Sequence, residues 1–317
     1  GIDVSSFGST IRVRFSATAI ACCAGDMAID NFEVKEAPSC PPLAGLNVSG
    51  TSDTSATFGW SASSSASSYQ VWFGPKGFYQ GTTTTTGTKD FTTTNSYTVD
   101  SLMASSCYEF LVRGICGPGD TTLWEGPFNF NTTSGALTLP LLEDFENGLT
   151  YFRNRCDNMT DWNTQQAIIK NGLSAGKLAY QASDNSILEM AGMLDLSAVA
   201  SPTLIFWHIA KFEGGFDDGK VEISTDGGAT YVALPASAYI GSAGSYATDL
   251  VFDEDDYPIW GQAAAPAQNT WWKQEVFSLA AYKQDSVMIR FRADCDGSVQ
   301  RDGWYLDDIS IEDISCP

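Results

Sequence analysis

Five acidic residues near the two ends of one long segment are the side chains best suited to chemistry. Glu143, Asp144 and Glu146 open this segment, and Asp307 and Asp308 close it. Calcium binds roughly six to eight oxygen ligands, mostly carboxylates and carbonyls, and this group could supply several of them. Carboxylates packed together repel unless a cation neutralises them, whereas acids at a sheet edge are simply hydrated. The group therefore predicts a calcium site if folding brings the two ends together.

A second acidic run and a short turn motif offer less chemistry. The run Asp253-Glu254-Asp255-Asp256 is typical of a hydrated loop, although with Asp217 and Asp218 it could hold another cation. The residues from Ser224 to Tyr231 match the Asp-box hairpin, in which the aspartate caps its own backbone and glycines take positive φ. One copy of this motif predicts a tight turn and no active site.

Enzymatic catalysis lacks a plausible set of residues. His208 is the one histidine and lies in the apolar stretch 202–209, where we expect it to pack in a core. A triad or a histidine-ligated metal would need a nucleophile or further ligands beside it. Paired carboxylates hydrolyse glycosides across a cleft, and no such cleft is indicated. We expect a protein that is not an enzyme.

Aromatic side chains are the best candidates for ligand binding. Tyr257, Trp260, Trp271 and Trp272 lie on a predicted long loop and on the strand after it. Aromatic surfaces bind sugars and proteins by stacking and burial. Trp271 and Trp272 are adjacent on that strand, so one of them must point inward. Binding and core packing are therefore both open for this group.

Composition excludes several partners. The 317 residues include 38 acidic and 17 basic side chains, for a net charge of −21. Nucleic acids and anionic membranes attract basic surfaces, so neither is an expected partner. Hydrophobic residues make up 43% of the chain, enough for a sizeable core, and Ser, Thr, Gly and aromatic residues favour strands and turns. No apolar stretch has the length of a membrane span.

Eight cysteines indicate an oxidising compartment. They show no Cys-x-x-Cys spacing, which a zinc site usually requires, so disulfides are the better interpretation. This predicts a secreted or cell-surface protein.

An internal repeat connects the two ends of the chain. Residues 11–17 (Ile-Arg-Val-Arg-Phe-Ser-Ala) resemble residues 287–293 (Val-Met-Ile-Arg-Phe-Arg-Ala), and each copy leads to a turn, a second strand and Ser-Cys-Pro. Cys316 follows Cys40 by 276 positions, which we take as the repeat length. Residues 1–37 are then the last two strands of a preceding jelly roll. A hairpin alone buries too little surface, so a neighbouring repeat or another chain must complete it.

Residues 40–134 have short alternating strands separated by turn signals, the pattern of a β-sandwich. With Trp60 and Tyr69 on successive strands and a corner from Leu102 to Tyr108, the segment resembles a fibronectin type III domain. The resemblance implies that fold. Residues 40–134 contain no Arg-Gly-Asp loop, so integrin binding is not indicated.

Residues 138–317 resemble the MAM domains and the related cleaved-adhesin jelly rolls of secreted bacterial surface proteins. The resemblance is carried by Asp144-Phe145-Glu146, by the stretch 201–208 and by Leu306-Asp307-Asp308-Ile309. It implies a jelly roll with adjacent first and last strands, a packing role for His208, and structural calcium on the five acids. In the partial first copy, Asp30 and Asn31 stand at the equivalent positions and would form a weaker metal site.

Two disulfides are expected inside these domains. The type III resemblance places the start of its first strand and the end of its sixth at one pole, which implies a bond between Cys40 and Cys116. A bond between Cys156 and Cys295 would staple the jelly roll. The remaining cysteines have no assigned partner: Cys22, Cys23, Cys107 and Cys316.

The sequence thus predicts an all-β chain: a partial jelly-roll hairpin (1–37), a type III sandwich (40–134) and a MAM-like jelly roll (138–317). We expect a non-catalytic stalk or filament segment of a tandem-repeat adhesin, stiffened by calcium and disulfides. Its partners would be neighbouring repeats, identical chains, or surface glycans or proteins. One alternative is a carbohydrate-binding accessory region of a larger secreted enzyme. Another is a subunit of a head-to-tail filament assembled by strand donation.

Overall fold

The computed structural model describes residues 11–15, 39–79, 87–244, 246–261 and 265–315. Residues 11–15 have no regular secondary structure. The rest of the predicted hairpin at 1–37 lies outside the described residues, with its weaker metal ligands Asp30 and Asn31. So do Cys22, Cys23 and Cys316.

The described residues of the first sandwich form eight strands: β1 (Asn47–Ser49), β2 (Ala56–Gly59), β3 (Ser68–Pro75), β4 (Thr88–Thr92), β5 (Ser96–Val99), β6 (Cys107–Gly117), β7 (Asp120–Thr121) and β8 (Glu125–Asn131). One sheet has the order β1-β2-β5, and the other has the order β4-β3-β6, with β7 and β8 both paired to β6. This arrangement of two antiparallel sheets is a fibronectin type III-like sandwich, as predicted.

Aromatic residues fill the core of this first sandwich. Phe58 of β2 stacks on Phe110 of β6 with ring centroids 4.3 Å apart. Alternate residues of β3 and β6 point inward, as the two-residue period of a strand requires. The predicted corner is present, because the hydroxyl of Tyr108 accepts a hydrogen bond from the backbone N–H of Met103 at 2.9 Å.

The second sandwich follows a short connection. Its strands are β9 (Ala136–Leu137), β10 (Leu141–Glu143), β11 (Phe152–Asn154), β12 (Asn163–Gln165), β13 (Ala175–Leu178), β14 (Ile187–Met190), β15 (Met193–Leu194), β16 (Pro202–Lys211), β17 (Asp218–Ser224), β18 (Val232–Ala233), β19 (Lys273–Ser278), β20 (Met288–Asp294) and β21 (Gly303–Asp313). A four-residue helix, α1 (Tyr246–Asp249), lies in the long connection between β18 and β19.

The strand order is that of a jelly roll. One sheet runs β12-β13-β21-β16-β19, with β10 also paired to β21, and the other runs β11-β14-β20-β17-β18. From β13 to β21 the strands of these two antiparallel sheets alternate between them in sequence, apart from the hairpin of β17 and β18. Phe206 of the first sheet meets Phe291 of the second with ring centroids 5.1 Å apart. The all-β prediction is confirmed.

Phe206 tests how far this second core sets the stability of the fold. Its side chain is fully buried and contacts the rings of Phe252, Phe277 and Phe291. We expect Phe206→Ala to lower the free energy of unfolding by about 3–5 kcal/mol, because it leaves a cavity. The control Phe216→Ala removes an aromatic ring that is 66% exposed, and we expect a change within about 0.5 kcal/mol. Equal losses in urea titrations of the two variants would contradict this prediction.

Candidate functional site

The opening and closing strands of the second sandwich lie side by side. Strand β10 pairs with β21 in antiparallel register, with Glu143 opposite Ile309. A β-bulge interrupts the pairing of β21 with β16, because Asp308 and Ile309 together oppose Phe206. Asp308 accordingly takes a positive φ of 46°. The two ends of the segment that carries the predicted acids therefore do meet.

The bulge also changes which residues of β21 face the core. Trp304 and Leu306 are buried before it, and Ile309 and Ile311 are buried after it. The extra residue moves the inward set from even to odd positions, because side chains alternate along a strand. Asp307 and Asp308 fall at this transition, outside the apolar core cluster.

Glu143 is buried, and both of its carboxylate oxygens accept hydrogen bonds from backbone N–H groups. Its Oε2 accepts hydrogen bonds from Thr150 at 2.7 Å, Tyr151 at 2.7 Å and Phe152 at 3.2 Å, and its Oε1 accepts one from Phe145 at 3.3 Å. Burial raises the pKa of Glu143, and these four donors oppose the rise. This carboxylate organises the turn after β10.

Glu146, Asp307 and Asp308 hold one loop, residues 170–174, from two sides. Glu146 Oε1 accepts the backbone N–H groups of Leu173 at 2.7 Å and Ser174 at 2.9 Å. Asp307 Oδ2 accepts those of Lys170 at 2.9 Å and Asn171 at 3.3 Å, and Asp308 accepts the side-chain amide of Asn171. Hydrogen-bond donors of this loop thus supply part of the positive potential for which the sequence analysis predicted a calcium ion.

Calcium remains compatible with part of this group. Among the described residues, Glu146 Oε2 and Asp308 Oδ1 accept no hydrogen bond, and Asp144 bonds the N–H of Glu146 through Oδ1. The five predicted acids do not form a set of three carboxylates with oxygens within 4.8 Å of one another. Calcium at this place stays a prediction.

A different acidic cluster could bind a metal. One oxygen from each of Glu213, Asp217 and Asp296 lies within 4.8 Å of the other two, and these residues are the one such set in the described chain. Asp217 is fully buried. It accepts a hydrogen bond from the Tyr180 hydroxyl at 2.8 Å and another from the N–H of Asp296 at 2.7 Å. Burial raises the pKa of Asp217, and the nearby charge of Asp296 adds to this rise.

The run from Asp253 to Asp256 is not the hydrated loop that we expected. Asp253, Glu254 and Asp256 are buried, and Asp255 is exposed. Glu254 forms ion pairs with the buried Lys211 and, at 3.1 Å, with Arg301. Asp253 and Asp256 instead accept hydrogen bonds from backbone N–H groups. The burial is explained in this way, because a carboxylate leaves water only when it is matched by a cation or by hydrogen bonds.

The four aromatic residues predicted for ligand binding belong to the core. Tyr257, Trp260, Trp271 and Trp272 are between 0% and 9% exposed, so the binding interpretation of this group is wrong. The long loop folds back over the sandwich, and the indole N–H of Trp260 donates to the backbone carbonyl of Trp271 at 2.8 Å.

His208 is a core residue, as predicted. It is fully buried, and its Nδ1 accepts the indole N–H of Trp304 at 3.3 Å. Its Nε2 therefore carries the proton and faces Glu275 Oε1 at 3.1 Å. Burial acts to raise the pKa of Glu275, but hydrogen bonds from His208, Tyr239 and Tyr257 lower it below its ordinary value.

A group of aromatic residues at the surface lies on the first sandwich. Trp72 contacts both Tyr79 and Trp124 on its outer face, where Lys89 stands over the Trp72 ring at 4.2 Å. The sequence pattern predicts this outward position for Trp72, because Trp72 alternates with the inward residues Val71 and Phe73 of β3.

The disulfides agree with one prediction and correct another. Cys40 is bonded to Cys116, as predicted. Cys156 is bonded to Cys107 of the first sandwich and not to Cys295, and Cys295 is the free cysteine among the described residues. Cys156 lies just after β11 at the edge next to the first sandwich, so its nearest partner belongs to the other domain.

No protein-family model matches the chain. Bacillopeptidase F of Bacillus subtilis (strain 168) is 33% identical over 57 residues, which is 18% of this chain and 4% of that protein. The chain therefore spans a small fraction of that relative. The described residues contain no helix long and apolar enough to cross a membrane.

Several solved structures are similar to about a third of the chain. The fn3 domain of the human collagen α-1(XX) chain has 18% identity, covers 31% of this chain and 89% of its own, and gives a TM-score of 0.27. A myokine structure has 18% identity, coverages of 30% and 98%, and a TM-score of 0.26. A redesigned β-sandwich protein has 20% identity, coverages of 29% and 93%, and a TM-score of 0.23. The type III-like assignment rests on strand order and not on these scores.

Asp307 makes the stability of the second sandwich depend on pH. Burial raises its pKa to about 6 from an ordinary 3.8, the N–H groups of the 170–174 loop oppose the shift, and Asp308 adds to it. A carboxyl group with a raised folded-state pKa stabilises the fold when protonated, and this stabilisation is lost as the pH rises through about 6.

We therefore expect the free energy of unfolding of Asp307→Asn, relative to that of the parent protein, to be higher at neutral pH than in mild acid. Between about pH 7 and about pH 4, the difference in free energy of unfolding should shift toward the parent by about 1–3 kcal/mol. Urea titrations at several pH values measure this shift. The exposed Asp285→Asn serves as the control, and a difference for Asp307→Asn that does not vary with pH would contradict the assignment.

Proposed function

We propose that this chain is a non-catalytic, secreted structural segment of a cell-surface adhesin or filament, built as a stiff two-domain module. The observation that carries the proposal is the covalent junction between the two sandwiches. Its partners would be neighbouring repeats or identical chains, and the module would present surfaces to glycans or proteins outside the cell.

The disulfide between Cys107 and Cys156 joins β6 of the first sandwich to the residue pair after β11 of the second. Polar contacts surround it. The Lys76 ammonium donates to the Cys156 carbonyl. Asn131 Oδ1 accepts the N–H of Cys156 at 3.0 Å, and its Nδ2 donates to the Asn154 carbonyl at 3.3 Å. The two sandwiches thus meet through a bond and a side-chain bridge at one point.

The connecting segment is packed as well. Thr132 and Thr133 are buried, and the N–H of Thr133 donates to Ser52 of the first sandwich at 2.9 Å. Three residues later, β9 pairs in parallel with β15 of the second sandwich. A flexible linker is exposed and polar and makes few such contacts, so this segment supports a fixed angle between the domains.

The two disulfides support secretion, because such bonds persist in oxidising compartments. The absence of catalysis is proposed from His208, whose two ring nitrogens are both engaged in core hydrogen bonds. The jelly-roll strand order supports the MAM and cleaved-adhesin resemblance without establishing membership.

Scattering measurements test the stiffness of the junction. We expect Cys107→Ser/Cys156→Ser/Asn131→Ala to broaden the distribution of interdomain distances in small-angle X-ray scattering, because it removes the bond and the amide bridge together. The control Cys40→Ser/Cys116→Ser removes a disulfide inside the first sandwich and should leave the distribution unchanged. Identical curves for all three proteins, each still folded by circular dichroism, would contradict a junction held by Cys107 and Cys156.

Calcium is the proposed stiffening ion. We propose that it binds at Glu213, Asp217 and Asp296, whose hard oxygen ligands suit it. Calcium should then raise the melting temperature over a chelator-treated sample, because a ligand specific for the folded state stabilises it. Glu213→Gln/Asp296→Asn should abolish this rise, and Glu146→Gln/Asp308→Asn should retain it. The reverse pattern would move the ion to the opening and closing strands, and no rise in the parent protein would exclude calcium.

A further inference from the structure

The outer face of the first sandwich carries an aromatic and cationic surface, of which one half is exposed and the other half is partly buried. We call it the aromatic face, and it comprises Trp72, Tyr79, Lys89, Phe91, Arg113 and Trp124. Strand register places four of these residues together, because Trp72 is opposite Lys89, and Phe91 and Arg113 are both opposite Gln70. Inward neighbours such as Val71 and Val112 are buried. The aromatic face is therefore the solvent side of the sheet β4-β3-β6.

Ring contacts tie this surface into one patch. The ring centroid of Trp72 lies 5.6 Å from that of Trp124 and 5.4 Å from that of Tyr79. Lys89 stands over Trp72 at 4.2 Å, and the Arg113 guanidinium stands over Trp124 at 4.7 Å. Such stacking fixes long side chains in place, so the patch is ordered before any partner arrives.

Much of this patch remains open to solvent. Tyr79 is 45% exposed and Phe91 is 60% exposed. Trp, Tyr and Arg are the residues that most often dominate the binding energy of protein–protein contacts. A contiguous exposed group of this composition is typical of an interaction surface.

The charge of this face distinguishes it from the rest of the chain. Among the described residues, neither Lys89 nor Arg113 forms an ion pair, and Arg113 bonds the neutral Gln70 at 2.9 Å. Residues 39–134 contain three basic and six acidic side chains, whereas residues 135–317 contain 11 basic and 27 acidic side chains. Both domains are therefore net acidic, by −3 and −16, but the aromatic face of the first presents two cations without a carboxylate partner in the described part of the chain, and the second carries the larger excess of carboxylates.

We propose that the aromatic face of one chain binds the acidic surface of the second sandwich of another copy. Charge complementarity favours this partner, because Lys89 and Arg113 would gain carboxylates while the rings bury area. The contact joins two different surfaces, so it is heterologous and continues from copy to copy as a ring or an open filament. The choice of an identical chain as the partner rests on the structural role that is put forward under the proposed function.

Sedimentation velocity of the full chain over a range of concentrations tests this contact. We expect reversible association that weakens as salt is added, because screening acts on the exposed charges. Lys89→Glu should weaken association by about tenfold or more, since it places like charges together. Tyr79→Ser/Phe91→Ser changes exposed residues without disturbing the core and should weaken it similarly. The control Met103→Ser changes a residue that is 66% exposed in the loop before β6 and should have no effect.

Crosslinking identifies the surface that is bound. A photoreactive amino acid at position 91 in isotope-labelled protein, mixed with unlabelled protein, should give labelled-to-unlabelled peptides from residues 135–315. A chain that stays monomeric at every concentration, or association unchanged by Lys89→Glu, overturns the proposal. Glycan binding on an array that Tyr79→Ser/Phe91→Ser abolishes, without self-association, also overturns it. These outcomes are independent of junction stiffness, which the scattering measurement reports separately.

Discussion

The closing strand β21 is the constraint on which the second sandwich depends. It pairs with β10, β13 and β16, so it is hydrogen-bonded to segments as far as 170 positions away in the register of Leu141 with Ile311. In the sheet order it lies between β13 and β16 and so joins the two halves of the sheet, and contacts of such long separation form slowly. The bulge at Asp308 belongs to the same constraint, because it shifts the inward residues of β21 while leaving two carboxylates beside the 170–174 loop.

Buried carboxylates in this domain are satisfied in two ways. Glu143 and Asp307 accept backbone N–H groups and so act as local organisers of turns and loops. Glu254 instead forms an ion pair with Lys211, and Glu275 accepts hydrogen bonds from His208, Tyr239 and Tyr257 inside the sandwich. A buried ion pair adds little net stability by itself, but removing one partner leaves a charge without compensation. Because acids outnumber bases in this domain, some buried carboxylates are stabilised by backbone N–H groups and not by cations.

The two domains contribute different properties to the proposed function. The junction supports stiffness, because the Cys107–Cys156 bond and the packed segment 132–137 act at neighbouring points. The first sandwich adds a face that is aromatic and cationic, and the second adds carboxylates. A module with a fixed angle and two unlike surfaces is suited to end-to-end contacts, since each copy offers both halves of the same interface.

The sequence by itself determined the all-β class, the type III-like sandwich, the tyrosine corner, the core position of His208 and the Cys40–Cys116 bond. The all-β class and the core position of His208 follow from local strand periodicity and turn residues. The sandwich type, its corner and the Cys40–Cys116 bond follow from the resemblance to fibronectin type III domains. Tertiary structure decided the burial of Tyr257, Trp260, Trp271 and Trp272, the interdomain pairing of Cys156, and the acids that converge at Asp217. Each of these depends on how a long loop or a domain edge folds back onto distant residues, and neither spacing nor residue type specifies that path.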